Sequence, residues 1–279
     1  MAGVAVASSS SLLAAEQGTL TARQVIERIQ KNVGVPWQAQ TVDTFKAGDP
    51  ETPVTGIATS FMATLDVLRR ASAAGRNLIV SHEPTFYSHM DETKDLAADP
   101  VFRLKRDFIE QHKLVVWRFH DHWHARKPDA VYVALAQLLG WEKFCVDKHL
   151  AMYALPRTTL GALARDIQAR LKTQALRVIG DPQIEVSKVA LSPGAAGPRM
   201  QMALMPNADV YVCGEATEWE GIAYARDTIA TGAKKGMILT GHVGSEEPGM
   251  GLCAEWLKKL VPEVPVEWIP AGDPFWRPA

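Results

Sequence analysis

The sequence predicts an α/β protein. Short apolar runs alternate with amphipathic stretches along most of the chain, the pattern of strands and covering helices. Several of those runs, such as NLIVSH and KGMILTGH, are continuously apolar, as strands buried on both faces of a parallel sheet are. Three of them end in clusters of histidine and carboxylate, where open α/β sheets place their ligands. The 279 residues suggest two domains or one large one. With 47% hydrophobic and 22% charged residues, the chain buries an ordinary globular core.

The elements follow in order. Residues 19–33 form a helix on Leu20, Val25, Ile26 and Ile29, capped by Thr21 and stopped by Gly34. The stretch 35–53, with Pro36, Gly48, Pro50 and Pro53, reads as loop with at most short strands. A β-type run at 54–59, a helix at 64–74 and a buried strand at 77–82 come next. A helix at 100–112, a strand at 113–120 and a helix at 129–140 repeat the pattern. A strand at 150–155, a helix at 159–172 and strands at 177–180, 187–194 and 207–215 continue it. A helix at 220–231, a strand at 235–242, a helix at 249–260 and a last strand at 266–270 complete it. Mostly parallel pairing with right-handed crossovers is expected. The periodicity breaks at Trp141–His149, which divides an N-terminal lobe, 19–142, from a C-terminal lobe, 143–279.

Composition excludes several classes. Thirty basic residues against 31 acidic ones leave a net charge of −1, which argues against general nucleic-acid binding. No uncharged apolar run reaches the ~20 residues a membrane-spanning helix needs. Cys145, Cys213 and Cys253 form no CxxC pair, so neither a disulfide framework nor a thiolate metal site is expected, and a reducing compartment fits. Residues 1–18 are small and weakly apolar without the basic start of a secretory signal. They read either as an unstructured N-terminus of a cytoplasmic protein or as the end of a longer export signal, which would make the protein exported or periplasmic.

The chemistry gathers after three strands. SHEPTFYSH carries His82, Glu83 and His89; FHDHWH carries His120, Asp121, His122 and His124; TGHVGSEE carries His242, Glu246 and Glu247. Six of the eight histidines lie there. Imidazole with carboxylate suits divalent Zn, Fe, Mn, Co or Ni. If FHDHWH stays extended, His120, His122 and His124 share one face and Asp121 and Trp123 the other. A helical turn would instead bring His242 and Glu246, four apart, onto one face. His82 and Glu83 reach one site only where the strand gives way to a loop. Taken singly, His89, His112 and His149 read as ordinary hydrogen-bonded histidines, Asp121 and Glu247 as solvated carboxylates, and Trp117, Trp123 and Trp141 as core or interface packing.

From Val54 to Phe275 the chain resembles the NGG-interacting factor three-like dinuclear metal-centre family, some members of which are called type 2 GTP cyclohydrolase I. Ser81-His82-Glu83-Pro84 is similar to the family's Ser-His-His-Pro, with glutamate in place of the second histidine. His120 and His124 resemble the family's histidine followed four residues later by aspartate, here with imidazole at the second position. Gly241, His242 and Glu246 match its Gly-His-x-x-x-Glu, and Glu215 stands at the acidic position of ADVYVCGEATEW. The resemblance implies two similar α/β lobes and a hexameric toroid with sites facing an internal cavity. It also implies a two-metal site lined by His82, Glu83, His124, His242 and Glu246, with His120 nearby. The two exchanges are complementary and keep the donor number and formal ligand charge similar.

The expected function is a metal-dependent hydrolase acting on a small substrate through metal-activated water, with GTP ring opening among the candidate reactions. Glu83 is a ligand or the base that takes the water proton. No P-loop and no GxGxxG is present, so a nucleotide would be held by the cavity, with Arg118 and Arg126 as candidate contacts. The alternatives are a metal carrier, metallochaperone or regulatory interaction partner without catalysis, and a structural protein whose histidines stabilise loops.

Overall fold

The computed structural model describes residues 20–148, 151–174, 176–276 and 278. The expectations for residues 1–18 and for His149 lie outside the described residues. Two mixed sheets with covering helices build the molecule. No helix among the described residues is long and apolar enough to cross a membrane.

The first sheet grows from α1 (Ala22–Asn32), β1 (Phe45–Ala47), β2 (Ile57–Ser60), α2 (Leu65–Ala73), β3 (Leu78–Ser81), α3 (Pro100–Gln111) and β4 (Val115–Arg118). Thr21 starts α1 with a capping box, exchanging hydrogen bonds with Gln24, and the helix buries Val25, Ile26 and Ile29. Strands β2, β3 and β4 are parallel and every residue in them is buried. Their register aligns Ser60, Ser81 and Arg118, so the residues that follow leave the sheet at one level. β1 joins the edge of β4 antiparallel.

After β4 the chain departs from expectation. The strand ends at Arg118, and Asp121–Ala125 forms a short helix, α4. FHDHWH is therefore not extended, and His120, His122 and His124 do not share a face. The cause is Asp43, whose carboxylate accepts from the backbone N–H groups of His120, Asp121 and His122 at 2.6, 3.0 and 2.9 Å. It satisfies the donors that a helix N-terminus leaves unpaired. α5 (Ala130–Leu139) follows, capped by Asp129 and ended by Gly140.

The second sheet has the order β5-β6-β8-β9-β10-β7. It comprises β5 (Cys145–Asp147), β6 (Met152–Thr159), β7 (Arg177–Ile179), β8 (Glu185–Ala195), β9 (Val210–Glu215) and β10 (Gly236–Leu239). Helices α6 (Leu160–Leu171), α7 (Pro198–Leu204) and α8 (Ala223–Ala230) are interspersed; α7 had no sequence forecast, and a π-helical turn at Glu218–Ile222 precedes α8. Only β8–β9–β10 are parallel; the pairs β5–β6, β6–β8 and β7–β10 are antiparallel, so pairing is more mixed than expected.

The strand expected at 235–242 stops at Leu239, and α9 (His242–Leu260) begins seven residues before the helix expected at 249–260. Its first turn is tied down by Ser245, whose hydroxyl donates to the His242 carbonyl at 2.8 Å and accepts from Gly194 N–H at 2.9 Å. The last strand, β11 (Val266–Trp268), does not stay with the C-terminal lobe. It pairs parallel with β2 in the first sheet. Two helices tie the halves together. α5 supplies Ala130 and Val131 to the core of the first sheet and Leu135, Ala136 and Leu139 to the core of the second. Gly249 lets α9 approach α5, because a Cβ there would lie 3.0 Å from Val131 Cγ2.

Candidate metal centre

The ends of β3 and β4 and the start of α9 meet between the two sheets. His82 follows β3 and is fully buried, with backbone N–H donating to the Ser60 carbonyl. Glu83 comes next, its N–H donating to Phe61 at 2.7 Å. These two leave the strand where it becomes loop, so both reach one site. His120 and His124 lie four apart across α4, and His242 and Glu246 four apart on α9. Helical spacing puts each pair on one face.

Each of the four histidines is anchored through Nδ1. His82 Nδ1 donates to the Phe119 carbonyl at 3.1 Å, a group that only accepts. His120 Nδ1 meets Asp121 Oδ1 at 2.9 Å, His124 Nδ1 meets Asp129 Oδ2 at 2.9 Å, and His242 Nδ1 meets Glu215 Oε1 at 3.1 Å. The opposite nitrogens converge on two carboxylates. Nε2 of His82, His124 and His242 lies 3.3, 3.7 and 3.0 Å from Glu246. Nε2 of His120 and His242 lies 3.5 and 3.6 Å from Glu83 Oε1. Ligand atoms of His82, His120 and His124 fall within 4.8 Å of one another, as do those of His82, Glu83 and Glu246.

These residues fit a divalent ion. With its hydrogen on Nδ1, His82 turns a lone pair at Nε2 toward the Glu246 carboxylate, and that buried nitrogen has no hydrogen-bond partner. Two electron-rich atoms at 3.3 Å call for a cation to join them. Histidine held at Nδ1 by a carboxylate or carbonyl and free at Nε2 is the usual arrangement of a metal-binding imidazole. The all-nitrogen-and-oxygen donor set suits first-row divalent metals.

Further residues shape the site. Arg118 is buried and donates to the His82 carbonyl at 3.0 Å, to the His89 carbonyl, and to Glu83 Oε2 at 3.2 Å, leaving Glu83 Oε1 directed at the imidazoles. Gly194, at φ +73°, passes under Glu246; a Cβ there would sit 2.2 Å from Oε1. Burial, then neighbouring His82, pushes His120 down to about 3 despite its bond to Asp121. Burial also opposes protonation of His242, but the hydrogen bond to Glu246 and the charges of Glu246, Glu83 and Glu215 outweigh it and raise His242 to about 9. Burial likewise works against Glu246 ionising, yet the hydrogen bond with His242, the foremost opposing effect, holds its carboxyl well below the usual range.

The six residues expected from the sequence, His82, Glu83, His120, His124, His242 and Glu246, are thus brought together. His122 is not among them. Its Nδ1 meets Asp43 at 2.7 Å, its Nε2 accepts from Gln38 N–H at 2.9 Å, and its ring stacks on Trp37 at 3.6 Å. Asp121 is not a solvated carboxylate but the anchor of His120, held in turn by Thr41 and Val42. Glu247 accepts from the N–H groups of Ala271 and Gly272. His112 bonds Ser72 at a helix end.

Neither expected arginine faces the cavity beside the cluster: Arg118 is turned inward, and Arg126 lies over Trp123 and Trp256. That cavity has a volume of about 1030 Å³ and is lined by Glu83 and His242 together with Phe61, His89, Lys105 and Arg177. Sequence reasoning missed Asp43 and Asp129. Asp129 had a signal, an aspartate at a helix start; Asp43, in an irregular segment, had none.

Two mixed α/β sheets joined by a His/Glu cluster define a class of protein with a candidate metal centre between its halves. The chain belongs to the Duf34/NIF3 (NGG1p interacting factor 3) family, whose model matches residues 21–274. It is 23% identical over 222 residues to a Clostridium acetobutylicum protein named GTP cyclohydrolase 1 type 2 homolog, covering 76% of this chain and 79% of that one. A Chlamydia pneumoniae protein of the same name is 23% identical over 251 residues, covering 82% and 89%. Among solved structures, a Bacillus cereus protein related to NIF3 superimposes with a TM-score of 0.75 at 15% identity, covering 94% of this chain and all of that one. A Staphylococcus aureus protein gives 0.73 at 18% identity with the same coverage. At such identities the structures establish a shared fold.

Proposed function

We propose that the cluster holds two divalent metal ions and that the protein is a metal-dependent hydrolase of a small substrate. The observation that carries this reading is the convergence of four Nδ1-anchored imidazoles and two carboxylates beside a cavity that Glu83 and His242 of the cluster line. His82, His120, His124, His242, Glu83 and Glu246 would be the ligands. Bound there, divalent metal supplies Lewis acidity, acidifying a water and polarising the bond under attack.

The chain's own groups set the stage. Glu246 turns one oxygen to His124 and the other to His82 and His242, so that either oxygen could hold a metal ion beside those imidazoles. Glu83 keeps one oxygen on Arg118 and offers the other to the centre, as a ligand or as acceptor of the water proton. Glutamate at 83 and histidine at 124 exchange donor types and keep the set balanced. A cavity of about 1030 Å³ is far more than an ion needs and matches a small-molecule site, which favours hydrolase over metal carrier. The names of the curated relatives make GTP the first substrate to try. A homo-hexamer is proposed from family membership, and exposed Trp219, Phe275 and Trp276 offer apolar surface for it.

Elemental analysis of protein purified without added metal, beside a His242→Ala/Glu246→Ala variant, tests the site. We expect about two first-row metal ions per chain, absent from the variant. A wild-type protein that is metal-free and cannot be reloaded overturns the reading. A nucleotide panel assayed with added metals tests catalysis; turnover no greater than that of His242→Ala removes the hydrolase assignment for those substrates. Sedimentation at the monomer mass would remove the hexamer.

A further inference from the structure

Lys105 projects from α3 onto the cavity wall and is only 4% exposed. Its ammonium donates to the Thr85 carbonyl and stands 5.6 and 5.2 Å from the ring centroids of Phe86 and Tyr87. An ammonium has three N–H donors, so that bond leaves two. The other cations nearby are matched. Lys46 lies 3.5 Å from Asp91, Arg118 lies 3.2 Å from Glu83 and 3.9 Å from Asp91, and Arg177 lies 3.9 Å from Glu218. Lys105 has no carboxylate within 4 Å among the described residues, although buried charges are ordinarily paired. Burial pushes its amine down to about 8, and Asp91 only partly offsets that. Thr85 lines the same wall, 1% exposed, and its Oγ1 has no hydrogen-bond partner among the described residues.

We propose that Lys105 and Thr85 form an oxyanion subsite, which receives the carboxylate or phosphate ester of the small molecule that enters the cavity. The missing counter-charge of Lys105 is then supplied by the ligand. This deepens the proposed function and rests on it only in calling that ligand a substrate; anion binding by Lys105 requires no metal. Phosphate and carboxylate share the chemistry, and matched probes separate them. Tyr87, Phe275 and Trp276 line the same cavity, so aromatic probes fit its walls.

The experiment is calorimetric titration of the full chain with phenyl phosphate, benzoate and the neutral benzyl alcohol, first in chelator and then after reloading with zinc. We expect an anionic probe to bind about tenfold or more weakly to Lys105→Met and to recover with Lys105→Arg, with benzyl alcohol unchanged. A Lys105 effect on phenyl phosphate alone assigns a phosphate site, and on benzoate alone a carboxylate site. Thr85→Val, which keeps the shape and removes the hydroxyl, should weaken the same probe by a smaller factor; it carries the test if Lys105→Met does not fold. The proposal is overturned if Lys105→Met or Thr85→Val leaves both anions unchanged, if all three probes weaken alike, or if the wild type binds neither anion up to about 10 mM. The chelator arm separates failures: a Lys105-dependent anion effect in protein that takes up no metal sinks the metal reading alone.

Discussion

Four imidazoles in this centre are useful because of what holds their other nitrogen. A ligand histidine must present a lone pair at a fixed place, and the Nδ1 partner decides both tautomer and orientation. Asp129 does this for His124 while also capping α5. Asp129→Asn preserves the cap but not the charge, so folding stability should change little while metal affinity falls about 10- to 100-fold, as chelator competition would measure. Lys105 gives a pH prediction at the same scale. Its folded pKa, lowered to about 8 from 10.5 mainly by burial, means that between those values the unfolded chain holds a proton the folded one has released. Stability from this group therefore rises with pH across that window, and below it the buried charge is a cost of up to roughly 3 kcal/mol. Lys105→Met should raise the melting temperature at pH 7, and the advantage should shrink toward pH 10.5 in thermal scans.

At the scale of elements, the short helix α4 decides the site. An extended FHDHWH would have placed three histidines on one side; the helical turn keeps His120 and His124 together and sends His122 into the core against Trp37. Asp43 sets this by accepting from three backbone N–H groups and from His122 Nδ1. Asp43→Ala leaves those buried donors unsatisfied. A loss of about 3 kcal/mol or more in urea denaturation is expected, with His120 and His124 displaced and metal content reduced. The early start of α9 is as consequential, since it alone sets His242 and Glu246 one turn apart.

At the scale of the molecule, the centre joins its two halves. His82, Glu83, His120 and His124 come from the first sheet and the helix after it, whereas His242 and Glu246 follow the second. An ion bound here would cross-link the sheets and stabilise the native state by mass action, by about 4 kcal/mol at a thousandfold excess over its Kd. Chelation should therefore lower the melting temperature of the wild type, and the His242→Ala/Glu246→Ala variant should not respond. Equal melting temperatures with and without chelator would assign the cluster a purely structural role.

Much of this was legible in the chain. The helix at Ala22–Asn32 announced itself through its cap and spacing, the helix at Ala130–Leu139 through its spacing, and β3, β4 and β10 through their apolar runs. Local pattern failed where a distant partner intervened. Asp43 turned a strand into a helix from 77 residues away, and β11 left its neighbours in sequence to pair with β2. By itself the sequence determined the alternating α/β plan, the residue types of the centre and the i, i+4 spacing of His242 and Glu246, because these are properties of short segments. Tertiary structure alone decided that β3, α4 and α9 meet, which histidine was diverted to the core, and which side chains hold each Nδ1. Those choices depend on contacts between residues far apart in the chain, whose energies no local periodicity encodes.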